Sequence, residues 1–173
     1  MNYKVIGYGS LISHESLKKT ISDKCFTPVI IKGYKRIFNL AVKSDQGPNV
    51  LNLAKSKDHE FNGVLFELDD SELNALKRRE YHYNLEETKA YDFTTKKLLG
   101  MSLVVIDYYV CIDHLHRCPN KPYFILCREA AYEISEKFGK FWDETTYTSG
   151  NEKISDWIKK NPNYDTIKKE KKN

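Results

Sequence analysis

Apolar residues fall along this chain mainly in short runs, and the order of those runs predicts the order of the elements. Residues 3–6 form one such run, broken at once by Gly7-Tyr8-Gly9. A run this short, ended by glycine, reads as a buried strand entering a tight turn. Ser13 stands where a helix N-cap belongs, ahead of Leu17 and Ile21 at helical spacing. Residues 26–42 are rich in β-branched and aromatic side chains with Gly33 among them, and predict two strands or one strongly bent strand. Residues 50–55 and 61–68 predict a strand each, and Asp69-Asp70-Ser71 caps a helix that carries Leu73 and Leu76. Strands are expected over residues 87–95 and 103–111, then a proline-bounded loop over 114–122. Cys127, Ala130, Ala131, Ile134, Phe138 and Phe141 recur at helical spacing and predict one long amphipathic helix; Ile154, Trp157 and Ile158 predict a short last one. Strands joined mostly by short turns favour an α+β fold, with an antiparallel or mixed sheet able to close as a small β-barrel with flanking helices.

Composition narrows this picture. At 173 residues and 40% hydrophobic, the chain can build a core without disulfides, and we expect a single domain over residues 1–160 with a basic tail over 161–173. The net charge of +4 is concentrated in that tail, and no basic face recurs along the body, so a nucleic-acid partner is not expected. No run approaches the roughly 18 apolar residues of a membrane span. With no secretion signal read at the start, the four cysteines are expected to be reduced thiols of a cytoplasmic protein. Twelve tyrosines suit half-buried strand positions or a polar pocket.

Two positions suggest chemistry. A strand turning through glycines toward a helix start leaves several backbone N–H groups pointing one way, a nest suited to a carboxylate or phosphate; the same turn can equally be empty. Glu80 is the second. Measured from Leu73 at about 100° per residue, Leu76 lies at about −60° and Glu80 at about −20°, so the carboxylate projects from the apolar side of its helix. Lys77, at about +40°, borders that stripe. Burying a carboxylate costs several kcal/mol unless it is paired or protonated. Glu80 is therefore either a surface glutamate of the Lys77-Arg78-Arg79-Glu80 run, turned outward by fraying and paired with Lys77 or Arg36, or an inward acid/base group whose proton affinity is raised by burial.

Tyr8-Gly9-Ser10-Leu11 after a first strand, with a glutamate in Leu73-x-x-Leu76-x-x-x-Glu80-Tyr81 at a helix end, resembles the γ-glutamylcyclotransferase family. The segments 33–39 and 61–68, and Pro119-Asn120-Lys121-Pro122-Tyr123 before a long helix, are similar to further parts of that family, so the resemblance covers most of residues 3–147. It implies a barrel-like α+β fold with a cavity between the YGSL turn and the glutamate. It also implies an enzyme that cyclises a γ-glutamyl peptide or amine to 5-oxoproline and a free amine, without metal or organic cofactor. By carry-over Glu80 would be the general acid/base. Tyr8, Gly9, Ser10 and Leu11 would hold the substrate, largely through main-chain donors, with Tyr123 at the pocket rim. Many relatives have glycine after the glutamate, where this chain has Tyr81. The rival reading is a non-catalytic module of the same fold that binds a small ligand or a protein.

Other chemistries fit less well. Cys111, His114, His116 and Cys118 are zinc-ligand types, but structural sites usually draw ligand pairs from two separated knuckles. Gly7-Tyr8-Gly9 opens like a dinucleotide fingerprint, yet Ile12 replaces the third glycine. Neither Cys25 nor Cys127 has a histidine partner suggested by spacing, so inert thiols are expected there.

Overall fold

The structure, a computed structural model, describes residues 2–41, 49–80, 83–108 and 118–167. Strand β1 (Tyr3–Gly7) is the expected apolar run, with Val5 and Ile6 wholly buried. It pairs antiparallel with β3 (Asn49–Leu68) and parallel with β5 (Leu98–Ile106). β5 pairs antiparallel with β4 (Asn84–Asp92), β4 with β2 (Thr27–Ala41), and β2 with β3. These contacts close a five-stranded mixed barrel, the α+β architecture expected. A two-residue strand β6 (Thr146–Tyr147) adds to β2 beyond the barrel, parallel to Arg36 and Ile37.

The segment with Gly33 is one bent strand. At Gly33 φ is +88°, which favours glycine, and the ladder jumps there: Lys32 faces Glu60 while Tyr34 faces Lys55. The two strands expected over 50–55 and 61–68 are accordingly two ends of β3. The polar residues between them bulge out opposite Gly33 without ending the ladder. Both strands of the β4–β5 hairpin begin earlier than expected. The turn is set by Asp92, whose Oδ1 accepts from the Thr94 and Thr95 amides at 3.0 and 2.6 Å. Exposed Leu98 and Met101 and the intervening Gly100 hide the start of β5 from an apolar pattern.

The single long helix expected around residues 127–141 is two. α3 (Lys121–Ile134) stops at Ser135, whose extended backbone (φ −173°, ψ 157°) turns the chain. The Ser135 hydroxyl then caps α4 (Glu136–Thr145) by accepting from the Phe138 amide at 3.1 Å. Helical spacing survives the break because both helices face the same core, where Phe38, Phe124, Phe138 and Trp142 are wholly buried. Arg36 is buried beside them, and among the described residues no carboxylate pairs with it. It donates to Thr146 Oγ1 (2.8 Å), the Asn62 carbonyl (2.5 Å) and Asn62 Oδ1 (2.9 Å), and lies over the Trp142 ring at 4.9 Å. Burial pulls its guanidinium down to about 9.

α5 (Ile154–Lys160) follows as expected. Beyond it, residues assigned to the tail still pack on the body. Tyr164 donates to the Pro119 carbonyl (3.2 Å), and Asp165 accepts from Arg128 (2.7 Å), which also holds Asp143 (2.9 Å). No helix among the described residues is long and apolar enough to cross a membrane.

Candidate functional site

β1 delivers Gly7 to one end of the barrel, and the turn after it is folded tightly back. A β-carbon on Gly63 would stand 2.6 Å from the Gly7 carbonyl, and one on Gly7 would stand 2.9 Å from Leu11. Both glycines are there because the turn touches the strands beneath it. Residues Ser10–Ile12 form a single 3-10 turn, closed by the Ile12 amide on the Gly9 carbonyl (3.1 Å). The Gly9, Ser10 and Leu11 amides lie ahead of that closure, where helical turns leave N–H groups without internal partners. The helix expected to carry both Leu17 and Ile21 is shorter. α1 (His14–Leu17) is one turn, capped by Ser13 Oγ on the Ser16 amide (3.3 Å), and Ile21 is buried beyond it. A single turn contributes little dipole, so the nest depends on its amides alone.

Glu80 is placed by α2 (Asp70–Arg79). Asp69 and Glu72 form a reciprocal capping box at its start, and buried Leu73 and Leu76 fix its inner face. Glu80 follows as the C-cap, its amide on the Leu76 carbonyl (2.9 Å) and its side chain only 19% exposed. Its partner is Arg79, Nε to Oε1 at 3.1 Å; Arg36, one of the two partners suggested by sequence, is committed elsewhere. Burial raises the carboxyl above the ordinary glutamate range, against the charge and hydrogen bond of Arg79.

Tyr8, Gly9, Ser10, Leu11, Glu80 and Tyr123, far apart in sequence, line one cavity of about 30 Å³, together with Leu51, Tyr83 and Val105. A second cavity of about 190 Å³, lined by Leu76, Lys77, Glu80, Tyr83, Leu85 and Val105, adjoins it, and Glu80, Tyr83 and Val105 line both. The Tyr123 hydroxyl reaches over the turn, and a β-carbon on Gly9 would lie 2.4 Å from it. Burial pushes the hydroxyls of Tyr8, Tyr83 and Tyr123 well up, helped at Tyr8 and Tyr83 by the Glu80 charge. All three therefore remain neutral donors around the carboxylate. Burial likewise holds the Cys127 thiol up at about 12, which suits an inert side chain.

Tyr83 and Arg79 are the residues that sequence reasoning left out. The one available signal for Tyr83 was spacing: its amide donates to the Glu80 carbonyl at 2.8 Å, a turn that brings residue i+3 back beside Glu80. Arg79 lay in a basic run indistinguishable from a solvated face. Tyr81, Cys111, His114 and His116 lie outside the described residues. Among the described ones no three metal-ligand side chains gather.

The model of the ChaC-like protein family matches residues 3–123. No curated protein matches the chain. Among solved structures, a γ-glutamyl cyclotransferase superposes with a TM-score of 0.68 at 17% identity, covering 92% of this chain and 99% of that one. An uncharacterized protein from Homo sapiens gives 0.68 at 16% identity, covering 92% and 96%. A γ-glutamyl cyclotransferase specific to glutathione, from yeast, gives 0.58 at 15%, covering 82% and 94%. The chain therefore belongs to the ChaC-like family and has the fold of the γ-glutamyl cyclotransferases.

Proposed function

We propose that this protein is a γ-glutamyl cyclotransferase, converting a γ-glutamyl peptide or amine to 5-oxoproline and a free amine, with Glu80 as general acid/base. The observation that carries the reading is a largely buried carboxylate with raised proton affinity, sharing one cavity with the Tyr8–Leu11 turn. In the reaction the neutral α-amine of the substrate attacks its own γ-carbonyl carbon. Glu80 takes the proton shed by the attacking nitrogen and returns it to the departing nitrogen as the C–N bond breaks. One carboxylate can serve both steps because burial moves its proton affinity toward neutrality. The nucleophile is intramolecular, so much of the rate would come from holding the substrate in an attack-ready shape. The amides of Gly9, Ser10 and Leu11 and the neutral tyrosine hydroxyls are the donors suited to the substrate carboxylate and the developing oxyanion.

The test is 5-oxoproline release by the purified full-length chain from a panel of γ-glutamyl dipeptides, γ-glutamylamines and glutathione. The reading expects equal amounts of 5-oxoproline and amine from at least one class. Silence across the panel, with a ligand still raising the melting temperature, would favour a binding module.

A further inference from the structure

Arg79 uses every nitrogen of its guanidinium on groups belonging to or flanking the site. Nε forms an ion pair with Glu80 Oε1 at 3.1 Å. Nη1 donates to the Ser16 carbonyl at 2.9 Å and to Thr20 Oγ1 at 3.0 Å. Nη2 donates to Ser10 Oγ at 3.0 Å and Ser16 Oγ at 2.9 Å. An arginine carries its N–H groups in a rigid planar fork, and here each of the three nitrogens has a partner. Two of those partners, Ser10 and Glu80, line the cavity of about 30 Å³ and come from elements far apart in sequence. The others belong to α1 and the turn after it, the segment that follows the Tyr8–Leu11 turn in the chain.

We propose that Arg79 is a positioning residue that fastens the Glu80 carboxylate to the Ser10 loop, so that the acid/base and the substrate-binding turn form one rigid unit. The inference rests on the cyclotransferase reading for the roles of Glu80 and Ser10. A guanidinium is needed for the geometry, since a lysine ammonium has three donors on a flexible stem and cannot span five acceptors. The positive charge has a separate effect, favouring the ionised carboxylate against its burial. Among the described residues the groups facing Glu80 are Arg79 and Lys77 from α2, Tyr83 after it, Tyr8 at the end of β1 and Tyr123 of α3; Asp107, after β5, acts on Tyr8 and Tyr83. The tyrosines stay neutral through physiological pH, which leaves Arg79, among the described residues, as the cation in direct contact with the carboxylate.

Two variants separate charge from geometry. In Arg79→Gln the acid limb of kcat/KM and the carboxyl ¹³C titration of Glu80, recorded without substrate, both move upward by about one pH unit or more. In Arg79→Lys the titration stays close to wild type while kcat falls about 10- to 100-fold, the scale of a misplaced catalytic group. A merely structural arginine would lower the melting temperature and leave both pH readouts unmoved. The proposal is overturned if Glu80 titrates in Arg79→Gln as in wild type, or if Arg79→Lys turns over at the wild-type rate; the lysine variant decides alone where the glutamine variant does not fold. A wild-type chain that releases no 5-oxoproline contradicts the cyclotransferase reading instead, and the titration still reports on Arg79.

Discussion

At the scale of single residues, the absence of a side chain at residue 9 is what lets Tyr123 close over the turn. The Tyr123 hydroxyl occupies the space where a Gly9 β-carbon would stand, 2.4 Å away, while the ring carbon behind it is 3.6 Å away. Gly9→Ala should therefore destabilise the protein by about 1–3 kcal/mol through overpacking. Most of that loss should disappear in a Tyr123→Phe background, where the remaining contact is ordinary. Urea unfolding of the single and double variants measures the coupling, and independent, additive effects would contradict the packing. On the proposed mechanism, Glu80 supplies the pH dependence. Its carboxyl is raised, and it must be ionised to accept a proton, so kcat/KM should climb with pH through a limb above the ordinary glutamate range. A limb at or below that range would show that another group titrates.

At the scale of elements, legibility followed the range of the interactions. β1, the Asp69 cap and the inward angle of Glu80 were readable because each depends on neighbours a few residues away. The bulge opposite Gly33 was not, since it exists only once β2 and β3 are aligned across 28 residues, as at Lys32 and Glu60. Arg79 was opaque for the same reason: its acceptors on Ser10, Ser16 and Thr20 lie 59 to 69 residues away. The break between α3 and α4 was readable in principle, because Ser135 followed by Glu136 is an N-cap pattern, but continuous apolar spacing concealed it. Ser135→Ala should cost about 1 kcal/mol, the usual worth of such a cap. Equilibrium unfolding measures it, and an unchanged midpoint would mean the helix start is fixed by packing alone.

At the scale of the whole molecule, the closed barrel supplies one end for the site and the C-terminal helices lock its shape. The lock is electrostatic as well as apolar. Arg128 and Asp143 are each 5% exposed, and Arg128 also reaches Asp165 beyond the last helix. Asp143→Asn leaves a buried guanidinium short of its main counter-charge and should cost about 3–5 kcal/mol, read as a fall in urea midpoint. The barrel, the family match and the cavity together lead to one chemical claim, that Glu80 moves the proton in γ-glutamyl cyclisation. The direct measurement is 5-oxoproline release by Glu80→Gln beside wild type, on the substrate that wild type turns over best and with folding checked by circular dichroism. The account predicts a folded variant whose kcat is lower by about 10²–10⁴-fold. A folded variant that turns over at the wild-type rate would contradict it.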